Sequence, residues 1–466
     1  MFIERIKSEA DHEVRNLVAF LRKTEGQGFP YRLLSVSQKI ITRLPDKMHK
    51  FASRTCRVLL VKTPTVWMGR MQFQFARAKF KLRDSVIRLQ RRPETYETAI
   101  RLLTPLNHFL AILLRHVKHR NSVLHISYMV HIPYDTTRLL RRFGMRADYL
   151  ALENGSPVWD KSDYLFLPNP IPFRKALQEF LFFWKVVAKY EFIHCHFGRR
   201  LTQSGWEFPL LKRMNRKIVV HFRGCEIRNR ELNMTLRPEC NICQECDYKG
   251  GICKDPVRAD WCQLARKYGD LFLVTTPDMK NFVPEGIYFP FFLPQVQYED
   301  YALAENKRAA REIIKIVHVT GHPGIEGTKQ IQMAIQHLQA KGYPIVFSPL
   351  HGISHEMALR EMADADLTIG KLKMGYYANA QIESMFLGVP AVTYVRPEYM
   401  TEELRNSGFI FTTLQDLEKT LEHYLQHPEE LERKRKLARS SILRLHDDEK
   451  LGRQLTQMYD GLKKGS

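Results

Sequence analysis

The sequence predicts an α/β chain of two doubly wound units, set behind a basic and mainly helical N-terminal extension. Three observations carry that expectation. From about Asn121, short apolar strands alternate with helix-spaced segments. From Ile314 the alternation begins again, now with glycines closing the turn after the first strand (Gly321, Gly324, Gly327). Between the two lies Tyr298–Lys307 (YEDYALAENK), polar and acidic, the composition of a boundary between separate cores. At 466 residues, 44% hydrophobic and 26% charged, the chain is long enough for two or three such cores.

Residues 1–120 carry 25 Lys+Arg against 9 Asp+Glu, so 25 − 9 = +16 of the total +22 sits there. A surface of that kind suits an anionic membrane leaflet or a nucleic acid. Segments His12–Thr24 and Arg70–Leu89 have helical spacing, and Tyr96–Lys118 is richly apolar with Pro105 inside it. The last reads as a core helix or as a helix lying on a membrane, with Arg115, Lys118 and Arg120 at its end. No apolar run reaches the roughly 18–20 residues of a membrane span. The start, MFIERIKSEADHEV, has no signal-peptide core. The expectation is therefore a cytoplasmic protein, peripheral at the inner face of the cell membrane.

Residues 121–300 form the first α/β unit, with strands at Ser122–Met129, Arg146–Leu152, Glu191–His196, Lys217–Phe222 and Asp270–Thr275. Helices at Tyr134–Phe143, Pro172–Lys189 and Leu201–Met214 fall between them. In the second helix, Leu177, Phe180, Leu181, Trp184 and Val187 lie near one face, as a core stripe. Phe182, Phe183 and Val186 fall elsewhere beside Lys175, Lys185 and Lys189, an arrangement suited to a lipid interface. His194 and His196 alternate along one strand and so share a face. At the strand's carboxyl end an imidazole can bond a sugar hydroxyl or phosphate oxygen, or serve as a satisfied structural histidine; the resemblance given below implies the first for His196. Arg223, Gly224, Glu226 and Arg228 follow the next strand. The glycine permits close backbone approach and the charged groups suit acceptor hydroxyls or phosphate.

The insert at about residues 229–262 holds Cys240, Cys243, Cys246, Cys253 and Cys262. Two-residue gaps let neighbouring thiolates converge on one metal. A structural zinc is expected, on Cys240, Cys243, Cys253 and either Cys246 or Cys262; unliganded thiols and an iron–sulfur cluster are the alternatives. A closed site of four thiolates leaves no position for catalysis at the metal.

Residues 301–466 form the second unit. Ile314–Thr320 reads as a strand, followed by a glycine turn and an amphipathic helix, the arrangement that brings backbone amides to a phosphate at a sheet edge. A later strand, a loop, a short helix with Glu383 and a turn at Gly388-Val389-Pro390 complete the pattern. The order of residues says more: Val317-His318-Val319-Thr320, then Gly327-Thr328, then Gly375-Tyr376-Tyr377, then Glu383-Ser384-Met385-Phe386-Leu387-Gly388-Val389-Pro390.

This block resembles the donor domain of GT-B glycosyltransferases of the retaining, family-4-like bacterial polysaccharide type. The first unit resembles their acceptor domain through LHISYMVHIPYDTTRLLRRFGMRADYLAL, FIHCHFG and VVHFRGCEIR, so the likeness spans about residues 121–456. It implies two Rossmann-like domains facing a cleft, with the C-terminal helical tract (Pro428–Leu462) crossing back to the first. It further implies that Glu383 accepts hydrogen bonds from the ribose of a nucleotide-sugar. The backbone from Tyr376 through Asn379 to Ala380 would face its phosphates or sugar, with Gly321, Thr328 and Gly375 near the same ligand. Two positions depart from the family. Gly375 stands where a first glutamate is expected, and Pro323 and Glu326 fall where Arg and Lys would neutralise the leaving diphosphate. His322, Lys329, Lys371 or Lys373 would then supply that charge, with Lys329 and His196 as the catalytic candidates.

The function implied is transfer of a sugar from a nucleotide-sugar to a lipid-linked or polysaccharide acceptor in cell-surface glycan synthesis. A GT-B scaffold without activity is the alternative. A nucleic-acid-binding protein with a zinc module is a third reading, and the separation of the cysteines from the basic extension speaks against it.

Overall fold

The computed structural model describes residues 92–464 apart from 116, 118–120, 129–130, 153–160, 238–239, 249–252, 254–255 and 302–311. The helices expected at His12–Thr24 and Arg70–Leu89 lie outside the described residues. Within them, the stretch up to Pro105 with Asn169–Gln178 is one compact unit, and Leu106–Pro168 with Glu179–Ser466 is the other. Both sheets belong to the second.

The first sheet has seven strands: β1 (Ser122–Ser127), β2 (Arg146–Ala151), β3 (Tyr164–Leu165), β4 (Phe192–His196), β5 (Lys217–Phe222), β6 (Leu271–Val274) and β7 (Ile287–Tyr288). Their spatial order is β3-β2-β1-β4-β5-β6-β7, with every pairing parallel. This is the Rossmann order, in which the direction of winding reverses between β1 and β4. β1 and β4 are buried along their whole length. Helices covering both faces of the sheet explain why these strands read as unbroken apolar runs.

The second sheet has β8 (Ile314–Val319), β9 (Ile345–Leu350), β10 (Leu367–Ile369), β11 (Ala391–Thr393) and β12 (Ile410–Phe411), in the order β12-β11-β10-β8-β9 and again all parallel. Its reversal falls between β8 and β10. The chain is thus two Rossmann-like sheets with flanking helices. The last helix, Asp448–Lys464, returns to the first of them: Leu451, Leu455 and Tyr459 are buried against Val123, Phe192 and Val219.

The helix Pro172–Lys185 corrects one expectation. Phe180, Phe183, Val186 and Val187 are buried, whereas Leu177 and Leu181 are 42% and 57% exposed. A segment apolar on every side has no single stripe to read, and here the buried one runs through Phe180, Phe183 and Val187 at i, i+3 and i+7. The helix Glu94–Leu114 runs through Pro105 and leaves Leu106, Phe109, Ile112 and Leu113 exposed. Among the described residues, no helix is long and apolar enough to cross a membrane.

Candidate active site

Ligands of open parallel sheets bind beyond the strand carboxyl ends where the winding reverses. In the second sheet that point is flanked by the turn after β8 and the loop after β10. Gly321 is exposed, and a Cβ added there would meet nothing within 4 Å, so the turn is open. The helix Thr328–Ala340 starts beside it, where Thr328 Oγ1 is 2.9 Å from His318 Nε2.

The loop after β10 leads into the helix Asn379–Phe386, whose second turn carries Glu383. Glu383 is 9% exposed, and its Oε1 lies 2.8 Å from His355 Nε2 and accepts Tyr298 Oη–H at 3.3 Å. The hydrogen bond to Glu383 raises the His355 imidazole above its usual pKa, against the effect of burial. In the helix's first turn, Asn379 Oδ1 is buried with no hydrogen-bond partner. An orphaned buried acceptor is costly, and a ligand hydroxyl would satisfy it. Tyr376 and Tyr377 are core residues: both are buried, their rings stack at 4.4 Å, and Tyr377 Oη is 3.2 Å from His446 Nε2.

Gly375 explains its own departure from the family. Its φ is +86°, and an added Cβ would come within 2.5 Å of Arg396 Nε. A glutamate would need both a left-handed backbone and the space the buried Arg396 fills.

The cysteine insert packs directly on the turn after β8. Glu245 O lies 2.0 Å from where a Gly324 Cβ would be, so only glycine admits this approach. The Gly324 amide donates to Asp247 Oδ2 at 3.0 Å, and His322 Nδ1 lies 3.5 Å from Asp247 Oδ1. Lys373, 2% exposed, donates to the Glu245 carboxylate and to Gly324 O at 3.0 Å. The Lys373 hydrogen bond holds the Glu245 carboxyl below its usual range, with Gln330 and the exposed Lys329 adding to it. Glu326, where the sequence predicts an acid facing a diphosphate, is instead buried and paired with Lys371 at 3.2 Å. Backbone amide and lysine here already hold carboxylate oxygens, the same donors a phosphate would use.

In the first sheet the reversal lies between β1 and β4, where the register sets His125 beside His194 and His196 beside His221. All four imidazoles therefore share one face, and all are buried. His125 Nδ1 is 2.8 Å from His196 Nε2, and His194 Nδ1 is 2.6 Å from Tyr459 Oη. Burial depresses all four, His125 to about 3, with the Arg223 guanidinium adding to the effect. His196, expected at the cleft, has both ring nitrogens engaged, since Arg223 Nη2 lies 2.8 Å from its Nδ1. As it stands it is a core group that orients Arg223. Ligand atoms of His125, His194 and His196 lie within 4.8 Å of one another, but the adjacent guanidinium opposes a cation there. Glu226 accepts the Arg223 amide, Arg228 pairs with the buried Asp278 at 2.9 Å, and a Cβ on Gly224 would meet Phe197 at 3.2 Å.

The structure adds residues that the sequence alone does not single out. The His131 ring lies 5.6 Å from that of His355. Asp135, on the same helix as His131, accepts Gln297 Nε2 at 3.1 Å, and burial raises its carboxyl to about 7. These groups of the first domain thus stand near Glu383, Tyr298 and His355. The helix that carries His355 does have a sequence signal in Ser354, which caps His355–Ala363 by accepting Met357 N–H. Of the expected metal ligands, Cys243, Cys246 and Cys253 line one cleft, whereas Cys240 Sγ faces Leu372 O and Cys262 Sγ faces Glu226 O.

Two Rossmann-like sheets with the last helix packed back on the first define the GT-B class of fold. Over about 73% of its length the chain is similar in fold to GT-B glycosyltransferases of known structure. HepE of Anabaena, in complex with UDP and glucose, matches with a TM-score of 0.51 and 11% identity, over 73% of this chain and 100% of that one. The same protein with UDP matches with a TM-score of 0.51 and 12% identity, over 73% and 99%. Sucrose-phosphate synthase of Thermosynechococcus elongatus gives a TM-score of 0.49 and 15% identity, over 74% and 100%. No protein-family model and no curated protein matches the sequence.

Proposed function

We propose that the protein is a glycosyltransferase that moves a sugar from a nucleotide-sugar to a lipid-linked or polysaccharide acceptor, in the synthesis of a cell-surface glycan. The observation that carries this reading is Glu383. Its carboxylate is held by His355 and Tyr298 on the helix that follows the sheet's reversal point, with the orphaned Asn379 Oδ1 one turn earlier. These are acceptors for ribose or sugar hydroxyls. HepE, of like fold, has been seen with UDP and glucose.

In the reaction, the bond from the anomeric carbon to the diphosphate breaks and the acceptor hydroxyl oxygen bonds that carbon. The hydroxyl proton leaves with the diphosphate, whose charge Lys329, Lys373 and the open Gly321 turn would stabilise. The outcome proposed is retention of the anomeric configuration, with a hexose as the sugar. Phosphate oxygens would displace Glu245 from Lys373. Membrane attachment at the cytoplasmic face rests on Leu106, Phe109, Ile112 and Leu113, exposed along one helix, and on the +16 charge of residues 1–120.

Incubation with labelled UDP-, GDP-, ADP- and CMP-sugars and a membrane lipid extract tests the reading. Label appearing in lipid or polymer, dependent on Glu383, supports it; none with any donor contradicts it. A second reading, a scaffold without activity, is favoured by one observation: the chain's own carboxylates already occupy Lys371 and Lys373.

A further inference from the structure

The cysteines are the chemistry that sugar transfer leaves unused. Four of them, Cys225, Cys243, Cys246 and Cys253, line a single cleft. We propose that these four thiols hold a thiophilic metal centre, either one zinc ion or an iron–sulfur cluster. The set differs from the one that spacing within the insert suggests. It recruits Cys225 from the loop after β5 and omits Cys240 and Cys262, whose sulfurs face the carbonyls of Leu372 and Glu226.

Three features of the cleft fit this chemistry. Cys243 and Cys246 are separated by two residues, the gap that lets adjacent thiolates share a metal. Asn233 Nδ2–H donates to Cys243 Sγ at 3.3 Å, a bond that favours thiolate and tunes a bound metal. Arg230 lines the same cleft beside Arg228, which Asp278 already pairs, and its charge offsets part of the excess negative charge of four thiolates on a metal.

No three described cysteine sulfurs lie within 4.8 Å of one another. Thiolates on one zinc sit about 3.8 Å apart, given bonds of about 2.3 Å. A single zinc therefore requires the side chains to rotate inward. Either centre would staple the insert to the loop after β5. Glu245 and Asp247 flank Cys246, so it would also fix the two carboxylates that rest on the Gly324 turn. The proposal stands whether or not the protein transfers sugar.

The test is metal and sulfide analysis of the full chain purified without oxygen, alongside Cys225→Ser, Cys240→Ser and Cys262→Ser. The expected result is about one zinc per chain, or about four irons with matching sulfide and visible absorption. Cys225→Ser should lose at least 80% of it, and the other two variants should keep it. Wild-type protein without stoichiometric metal overturns the proposal. So does metal that survives Cys225→Ser but is lost with Cys240→Ser or Cys262→Ser. Should Cys225→Ser fail to fold, alkylation of the wild type before and after metal removal gives the same answer. Cys225, Cys243, Cys246 and Cys253 should become reactive together on removal; protection confined to other cysteines, or a disulfide among these four, overturns the assignment.

Discussion

His355 Nε2 meets Glu383 Oε1 at 2.8 Å, which joins the first turn of one helix to the second turn of another at the edge of the proposed nucleotide site. The hydrogen bond raises the histidine's pKa. The pair therefore stabilises the folded protein below pH 6.5, and that contribution fades as pH rises through the raised value. Since the His355 side chain is 46% exposed, solvent screens much of it. An NMR titration of the His355 ring should give a pKa above 6.5 in the wild type, falling back towards 6.5 in Glu383→Gln. An unchanged value in the variant would show that the pair does not form in solution.

Lys373 gives a second prediction, because the same ammonium holds Glu245 in the absence of ligand. Glu245→Gln removes the competing charge without removing the lysine. Nucleotide diphosphate should bind about 3–10-fold more tightly to Glu245→Gln, an effect of about 0.7–1.4 kcal/mol. Lys373→Ala should weaken it by a similar or larger factor. Equal affinities in all three proteins would place the diphosphate elsewhere.

The histidine stack predicts a steep loss of stability in acid. His125, His194, His196 and His221 have folded pKa values below the ordinary 6.5, so the unfolded chain binds more protons as pH falls past it. The stability they contribute is complete above pH 6.5 and is lost below it, at up to about 5 kcal/mol per pH unit for four groups together. Denaturant midpoints measured from pH 7.5 to 5 should drop sharply below 6.5. A flat profile would mean that the stack opens to water.

Much of this architecture was legible in the sequence, and the reasons are local. β1, β4 and β5 are apolar runs because helices cover both faces, and Glu383 sits in a contiguous motif whose order alone suggests its place. What was not legible depends on residues far apart in the chain. His131 and Asp135 come near Glu383 only when the two domains pack. Cys225 joins three cysteines of the insert from 18 positions before Cys243. The contact of Glu245 with Gly324 has no sequence signal beyond the glycine. The helix Pro172–Lys185 was turned the wrong way because its apolar residues surround it.

Gly375 makes the family's missing glutamate a question of space. Gly375→Glu would force a left-handed backbone on a side chain and press it against Arg396. Loss of about 1–3 kcal/mol of stability is expected from the backbone alone. Denaturant unfolding should show that loss with no gain in sugar transfer. A variant as stable as the wild type and more active would show that Arg396 moves aside readily.

Calorimetric titration with UDP, GDP, ADP and CMP reads the proposed nucleotide site around Glu383 without involving an acceptor. Micromolar binding of one of the four is expected, weakened at least tenfold in a folded Glu383→Ala variant. No binding of any nucleotide by folded wild-type protein, or binding indifferent to Glu383, would contradict it.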